Sequence, residues 1–175
     1  TLVAQDYQFT LPVEHLMITS GGHQAIFLIV QALLNSGDAV AICQPSFLYA
    51  LNLFQTAGIR LYGVPMDDQG MRLDLLETEI LKHRVKLVML NPTFQNPTGT
   101  TMSLARRKAL IKLCQTYKIP IIEDDAFGLL PFDKRQNLPP LKKLDPQNVI
   151  YIGSLSKIIG STTKIGWISA PPAVL

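Results

Sequence analysis

Cysteine is scarce in this chain: Cys43 and Cys114 are the only two. Each lies alone in an apolar segment, with no His or Cys neighbour at metal-ligand spacing, so the sequence offers no metal cluster. Both read as reduced core residues of a cytoplasmic protein. Long hydrophobic runs are missing too. The longest, Ala25 to Val30, falls far short of the roughly 18 apolar residues of a membrane span, and no signal-peptide pattern opens the chain. Charge of one sign is equally weak. The net charge is +3, and the basic residues stand in short groups such as Arg106-Arg107-Lys108 and Lys142-Lys143, which leaves no nucleic-acid footprint in this segment. There is no G-x-G-x-x-G and no P-loop ahead of Lys157, which argues against nucleotide binding. Internal repeats and low-complexity tracts are absent as well.

What is present points to a well-buried α/β domain. The chain has 175 residues, 47% hydrophobic and 17% charged, enough for one domain with a single core. Short apolar runs are expected as strands at His15 to Ile18, Ala39 to Cys43, Ile59 to Val64, Lys86 to Leu90, Ile119 to Ile122, Val149 to Ile152 and Ile165 to Ala170. Helix-length segments separate several of them. Leu110, Leu113, Cys114 and Tyr117 repeat at helical spacing behind a Ser103 cap, which predicts an amphipathic helix on a sheet face. Gln24 to Leu34 is apolar on nearly all sides, so a central buried helix is expected there. Apolar strands separated by helices imply three layers, α/β/α, around a mainly parallel sheet. Ligands of such sheets bind in the loops beyond the strand ends.

Those loops carry the chemistry. Gly153-Ser154-Leu155-Ser156-Lys157 follows the run Val149 to Ile152, and a lysine held in a strand-end turn can be desolvated, which frees its amine to form a Schiff base with a carbonyl. Pyridoxal phosphate requires such an amine, a carboxylate facing its pyridine nitrogen, donors for its phosphate and a flat group against its ring. Thr19-Ser20-Gly21-Gly22-His23 leads into a helix N-terminus and suits a phosphate, although an ordinary strand-helix turn reads equally from these residues. His23 reads better as a hydrogen-bonded loop residue than as a base. Phe47, after Pro45-Ser46, is either a ring-stacking group or core packing. Asn91 to Gly99, with two X-Pro pairs, is a fixed irregular loop in which Asn96 can donate to a phenolic oxygen. Glu123-Asp124-Asp125 places carboxylates at a buried strand end, where one should meet a cation; a solvated acidic loop or a metal site are the alternatives, the latter without nearby histidines.

The ordered runs TSGGHQA, NPTFQNPTG, IIEDDAFG and GSLSKIIGSTTKIGW resemble fold type I pyridoxal-phosphate enzymes of the class I and II aminotransferase family, over about His15 to Pro171. The resemblance is greatest to the aminotransferase-like domain of MocR-type bacterial regulators, which follows a winged helix-turn-helix of the GntR kind. It implies the large domain of a pyridoxal-phosphate-dependent transferase, with Lys157 as the Schiff-base lysine and Asp124 opposite the pyridine nitrogen. Ser20, Gly21, Gly22 and Ser154 would then bind the phosphate, Phe47 would stack on the ring and Asn96 would reach the phenolic oxygen. Three positions depart from the family. Lys164 stands where arginine is usual, which keeps charge but loses bidentate phosphate binding. Phe127 replaces a tyrosine, removing one bond to the phenolic oxygen, and Gly22 replaces a common hydroxyl residue.

The S-x-x-K spacing of Ser154 and Lys157 also matches serine acyl enzymes, but their S-D-N and K-T-G partners are absent. The reading is therefore a domain that binds pyridoxal 5'-phosphate and an amino acid or amine. Its setting is either a transcription regulator's effector-sensing part or a stand-alone aminotransferase. Thr1 and the breaker-rich Pro171-Pro172 suggest that residues 1–175 are a piece of a longer polypeptide. By the resemblance, an N-terminal segment, with a DNA-binding region in the regulator case, and a C-terminal small domain would complete it, and the intact protein would be a homodimer.

Overall fold

The computed structural model describes residues 11–130, 138–160 and 162–175. Its strands are β1 (Leu16–Thr19), β2 (Ala39–Gln44), β3 (Arg60–Asp67), β4 (Gly70–Met71), β5 (Leu87–Leu90), β6 (Ile121–Asp124), β7 (Val149–Ser154) and β8 (Gly166–Ser169). Its helices are α1 (Gly21–Leu33), α2 (Leu48–Thr56), α3 (Leu73–His83), α4 (Leu104–Tyr117) and the short α5 (Leu141–Leu144). One sheet of order β1-β8-β7-β6-β5-β2-β3-β4 contains all eight strands. The centre, from β3 through β2, β5 and β6 to β7, is parallel. Antiparallel pairs close it at both ends, β8 between β7 and β1 on one side and β4 on β3 at the other.

Alternation along the strands explains why both faces are covered. Ala39, Ala41 and Cys43 point to the layer formed by α3, α4 and α5, packing with Leu76, Leu110 and Leu141. Val40 and Ile42 point the other way, to Ile26, Ile29 and Val30 of α1 and Phe54 of α2. Val88 and Leu90 divide from Leu87 and Met89 in the same manner. A strand with apolar residues at every position can be satisfied only by burial on both sides, and the three-layer arrangement follows.

Three expectations change in detail. The first is α1. It starts at Gly21 rather than Gln24, and its buried residues form one face, while Phe27 is 46% exposed. Its apolar outer side therefore does not reflect enclosure. The strand boundaries also move. β6 begins at Ile121 and continues through Asp124, because Glu123 and Asp124 still pair with Tyr151 and Ile152 of β7. Finally, the two-residue β4 had no apolar run to announce it. The Ser103 cap is as expected: its side chain accepts the Arg106 N–H at 3.3 Å, at the start of α4. Cys43 and Cys114 are free and buried, and burial pushes both thiols up to about 12.

Candidate functional site

The parallel strands β2, β5, β6 and β7 end on one side of the sheet, and the loops that follow them surround a cavity of about 560 Å³. All ten candidate residues line it: Ser20, Gly21, Gly22, Phe47, Asn96, Asp124, Phe127, Ser154, Lys157 and Lys164. They come from six separate loops and strand ends, so no local stretch of sequence builds the cavity alone.

At one end is the start of α1. Gly21 adopts φ +81, a left-handed conformation that L side chains seldom adopt. The N-cap Ser20 makes no side-chain cap bond, and the first turn holds no acidic residue. The Ser20 N–H donates to the Gln24 side chain, and the N–H groups of Gly21 and Gly22, with the positive end of the helix dipole, lie at the cavity. Ser154 and Ser156 add hydroxyls beside them. The Ser154 Oγ accepts from the Ser156 N–H at 3.2 Å and donates to the Ile165 carbonyl at 3.5 Å. Lys164 is brought in by close approach of backbones: a Cβ at Gly166 would lie 2.7 Å from the Gly21 carbonyl carbon, so β8 can enter here only through glycine. N–H groups, hydroxyls and an ammonium suit a phosphate dianion.

Asp124 ends β6 farther along the cavity. Its backbone carbonyl accepts from the Asn91 side chain at 2.9 Å, and its Oδ1 accepts from the Ala126 N–H at 3.2 Å. Burial raises the carboxyl above its ordinary value, while Asn91, the Ala126 N–H and nearby His23 act against that rise. A cation facing it would favour the ionised form. The strand's alternation separates the three acidic residues. Glu123 points behind the sheet, accepts the Leu141 and Lys142 N–H groups at 2.8 Å each and lies 4.0 Å from Arg107. Asp125 accepts from the Tyr151 hydroxyl at 2.7 Å. The cation expected near this run is thus Arg107 for Glu123, and Asp124 alone turns toward the cavity.

Lys157 sits in the turn after β7, where the Ile158 and Ile159 N–H groups bond the Leu155 carbonyl. Its ammonium lies 5.6 Å from the centroid of the Phe127 ring. The residue is exposed, which corrects the expectation of a desolvated amine: the strand-end turn carries Lys157 to the cavity mouth, past the apolar layer. Phe47 caps α2 and is 37% exposed, so it has left the core. Asn96, in the 91–102 loop, lines the same cavity.

The donor set fits pyridoxal phosphate: a phosphate cradle, a carboxylate, an amine, an amide and an aromatic face around one cavity. Among the other lining residues, the polar side chains of His23, Ser46, Asn91 and Ser156 were not expected from the sequence as site members. Each adjoins a recognised motif residue. The available signal was position beyond a parallel strand's end, which applies to whole loops and not only to the residues of most obvious chemistry.

A family model for aminotransferase class I and II matches residues 2–175. The chain is 40% identical over 161 residues to the uncharacterized HTH-type transcriptional regulator YisV of Bacillus subtilis, covering 91% of this chain and 33% of that protein. It is 38% identical to aromatic-amino-acid aminotransferase 1 of Thermococcus litoralis, covering 95% of this chain and 41% of that one. Among solved structures, it superposes with TM-score 0.90 and 32% identity on the α-aminoadipate aminotransferase LysN of Thermus thermophilus, covering 98% of this chain and 45% of that one. That structure contains N-(5'-phosphopyridoxyl)-L-leucine. The chain thus spans between a third and a half of the length of these relatives.

Proposed function

Because this chain belongs to the class I and II aminotransferase family, we propose that it is the pyridoxal 5'-phosphate-binding large domain of a longer protein. Lys157 holds the cofactor's aldehyde carbon, and the site acts on an amino acid or amine. In the favoured reading it is the effector-sensing domain of a cytoplasmic MocR-type transcription regulator that works as a homodimer and reaches DNA through a separate N-terminal domain. The observation that carries the cofactor assignment is the convergence of Lys157, Asp124 and the free start of α1 on one cavity. The regulator setting is supported by the similarity to an HTH-type regulator and by three departures, Gly22, Phe127 and Lys164, that thin the usual cofactor contacts.

When bound, pyridoxal phosphate supplies an electron sink for charge that develops at the substrate's Cα. This chain's residues prepare that role. Gly21 and Gly22 would present helix-start N–H groups to the phosphate, with the Ser20 and Ser154 hydroxyls and the Lys164 ammonium beside them. Asp124 would keep the ring nitrogen protonated, and that pairing would lower its own carboxyl, which burial raises. Phe47 would supply a flat apolar face for the ring and Asn96 an amide donor for the phenolic oxygen. The Lys157 Nζ would also serve to carry a proton at the substrate's Cα.

A second reading, a stand-alone aminotransferase that passes an amino group to a 2-oxo acid, is favoured by the Thermococcus litoralis relative. Titration of the full-length protein with pyridoxal phosphate tests the shared core. Wild type should develop a bound-cofactor absorbance that Lys157→Ala lacks; equal spectra for the two proteins would contradict the assignment. Sustained conversion of an amino acid to its 2-oxo acid decides for the enzyme, and amine-dependent DNA binding without it decides for the regulator.

A further inference from the structure

Gln95 is polar, 2% exposed and absent from the cavity lining, yet it touches both loops that carry the flat group and the amide. Its Nε2 donates to the Pro45 carbonyl at 2.8 Å and to the Asn96 carbonyl at 2.8 Å. Its Oε1 accepts the Thr98 N–H at 3.0 Å and the Thr98 hydroxyl at 2.6 Å. All four positions of the carboxamide are filled. The surroundings also fix its orientation, since two carbonyls demand the amino end and a backbone N–H demands the oxygen end.

The two carbonyls belong to neighbouring loops, the ones that follow the adjacent parallel strands β2 and β5. Pro45 lies two residues before Phe47, and Asn96 is the candidate donor to the phenolic oxygen. The 91–102 loop does not need Gln95 to stay folded at its base. There Arg107, fully buried, donates to the Met102 and Pro92 carbonyls at 2.9 Å each and to the Thr93 hydroxyl at 2.8 Å. Arg107 thus secures the ends of the loop and Gln95 its tip against the neighbouring loop.

We propose that Gln95 is a positioning residue: its side-chain amide ties the loop carrying Phe47 to the loop carrying Asn96 and so sets the spacing of those two side chains at the cavity. The inference rests on the pyridoxal-phosphate reading of the cavity. A glutamate of the same shape cannot substitute, because a carboxylate has no donor for either carbonyl and sets a buried anion against both. Methionine keeps the length and makes none of the four bonds.

The test uses the full-length protein and its Gln95→Met and Gln95→Glu variants. Three quantities are measured: the melting temperature without cofactor, the Kd for pyridoxal phosphate by fluorescence quenching, and the pH midpoint of the bound cofactor's absorbance. Gln95→Met should melt within a few degrees of wild type, bind roughly tenfold more weakly and shift the midpoint upward by about half a pH unit or more, because Asn96 then bonds the phenolic oxygen less well. Gln95→Glu should bind more weakly still. A folded Gln95→Met with the wild-type Kd and midpoint overturns the proposal. So does failure of both variants to fold, since it would assign Gln95 the role given to Arg107. A double-mutant cycle with Phe47→Leu adds a further check: coupled losses in affinity are expected, and additive ones contradict a tie between the loops. Borohydride reduction of wild type distinguishes the two levels. An adduct on Lys157 with indifferent Gln95 variants overturns this proposal alone, whereas no adduct overturns the underlying reading as well.

Discussion

At the scale of residues, the departures from the family pattern are open to repair, and the space around them says which repair is easiest. A Cβ at Gly22 would meet only Ile152 Cγ2, at 3.8 Å, an ordinary contact, and Gly22 has no positive φ. Gly22→Ser should therefore be accepted and add a hydroxyl beside the phosphate. A hydrogen bond to a charged group contributes about 1.5–3 kcal/mol, so pyridoxal phosphate should bind at least about tenfold more tightly in a fluorescence titration of the full-length protein. Asp124→Asn should act oppositely, weakening binding by a similar factor and lowering the pH at which the ring nitrogen loses its proton. Much of this was legible in the sequence because lysine, aspartate and paired glycines carry their chemistry in their residue type. Gln95 and Asn91 were not legible in that way. Each acts through a carbonyl elsewhere in the chain, and no spacing announces such a bond.

At the scale of elements, strand alternation decides which acidic residue serves the cavity. Glu123 and Asp124 are neighbours in sequence but lie on opposite faces of β6, and only the register with β7 reveals which is which. Behind the sheet, burial and the nearby Asp125 charge lift the Glu123 carboxyl from 4.5 to about 7. Between those values the folded chain holds a proton that the unfolded chain has released. The Glu123 contribution to stability is therefore full below 4.5 and declines as pH rises to about 7. Melting curves of wild type and Glu123→Gln should show the gap between them moving in favour of the variant across that window; a constant gap would contradict the shift. Arg107→Met should cost about 3–5 kcal/mol in denaturant unfolding, because it leaves the Met102 and Pro92 carbonyls and the Thr93 hydroxyl without their buried donor. Helix periodicity found α4 and its cap accurately. It misjudged α1, since an apolar residue such as Phe27 looks the same in sequence whether buried or exposed.

For the molecule as a whole, the fold class followed from apolar strands separated by helices, whereas the order of the strands did not. β1 and β8 meet at the sheet's edge though they are far apart in the chain, a pairing that short apolar runs cannot specify. The proposed setting, a homodimer of a longer protein, leads to one further expectation: residues 1–175 expressed alone should bind pyridoxal phosphate weakly or not at all beside the full-length protein, and tight stoichiometric binding by the isolated chain would count against it. The central claim is that Lys157 anchors the cofactor. Its most direct test is borohydride reduction of the full-length protein saturated with pyridoxal phosphate, followed by peptide mapping. A single pyridoxyl adduct on Lys157 is the expected result, and an adduct on Lys164 or any other lysine, or none, would contradict it.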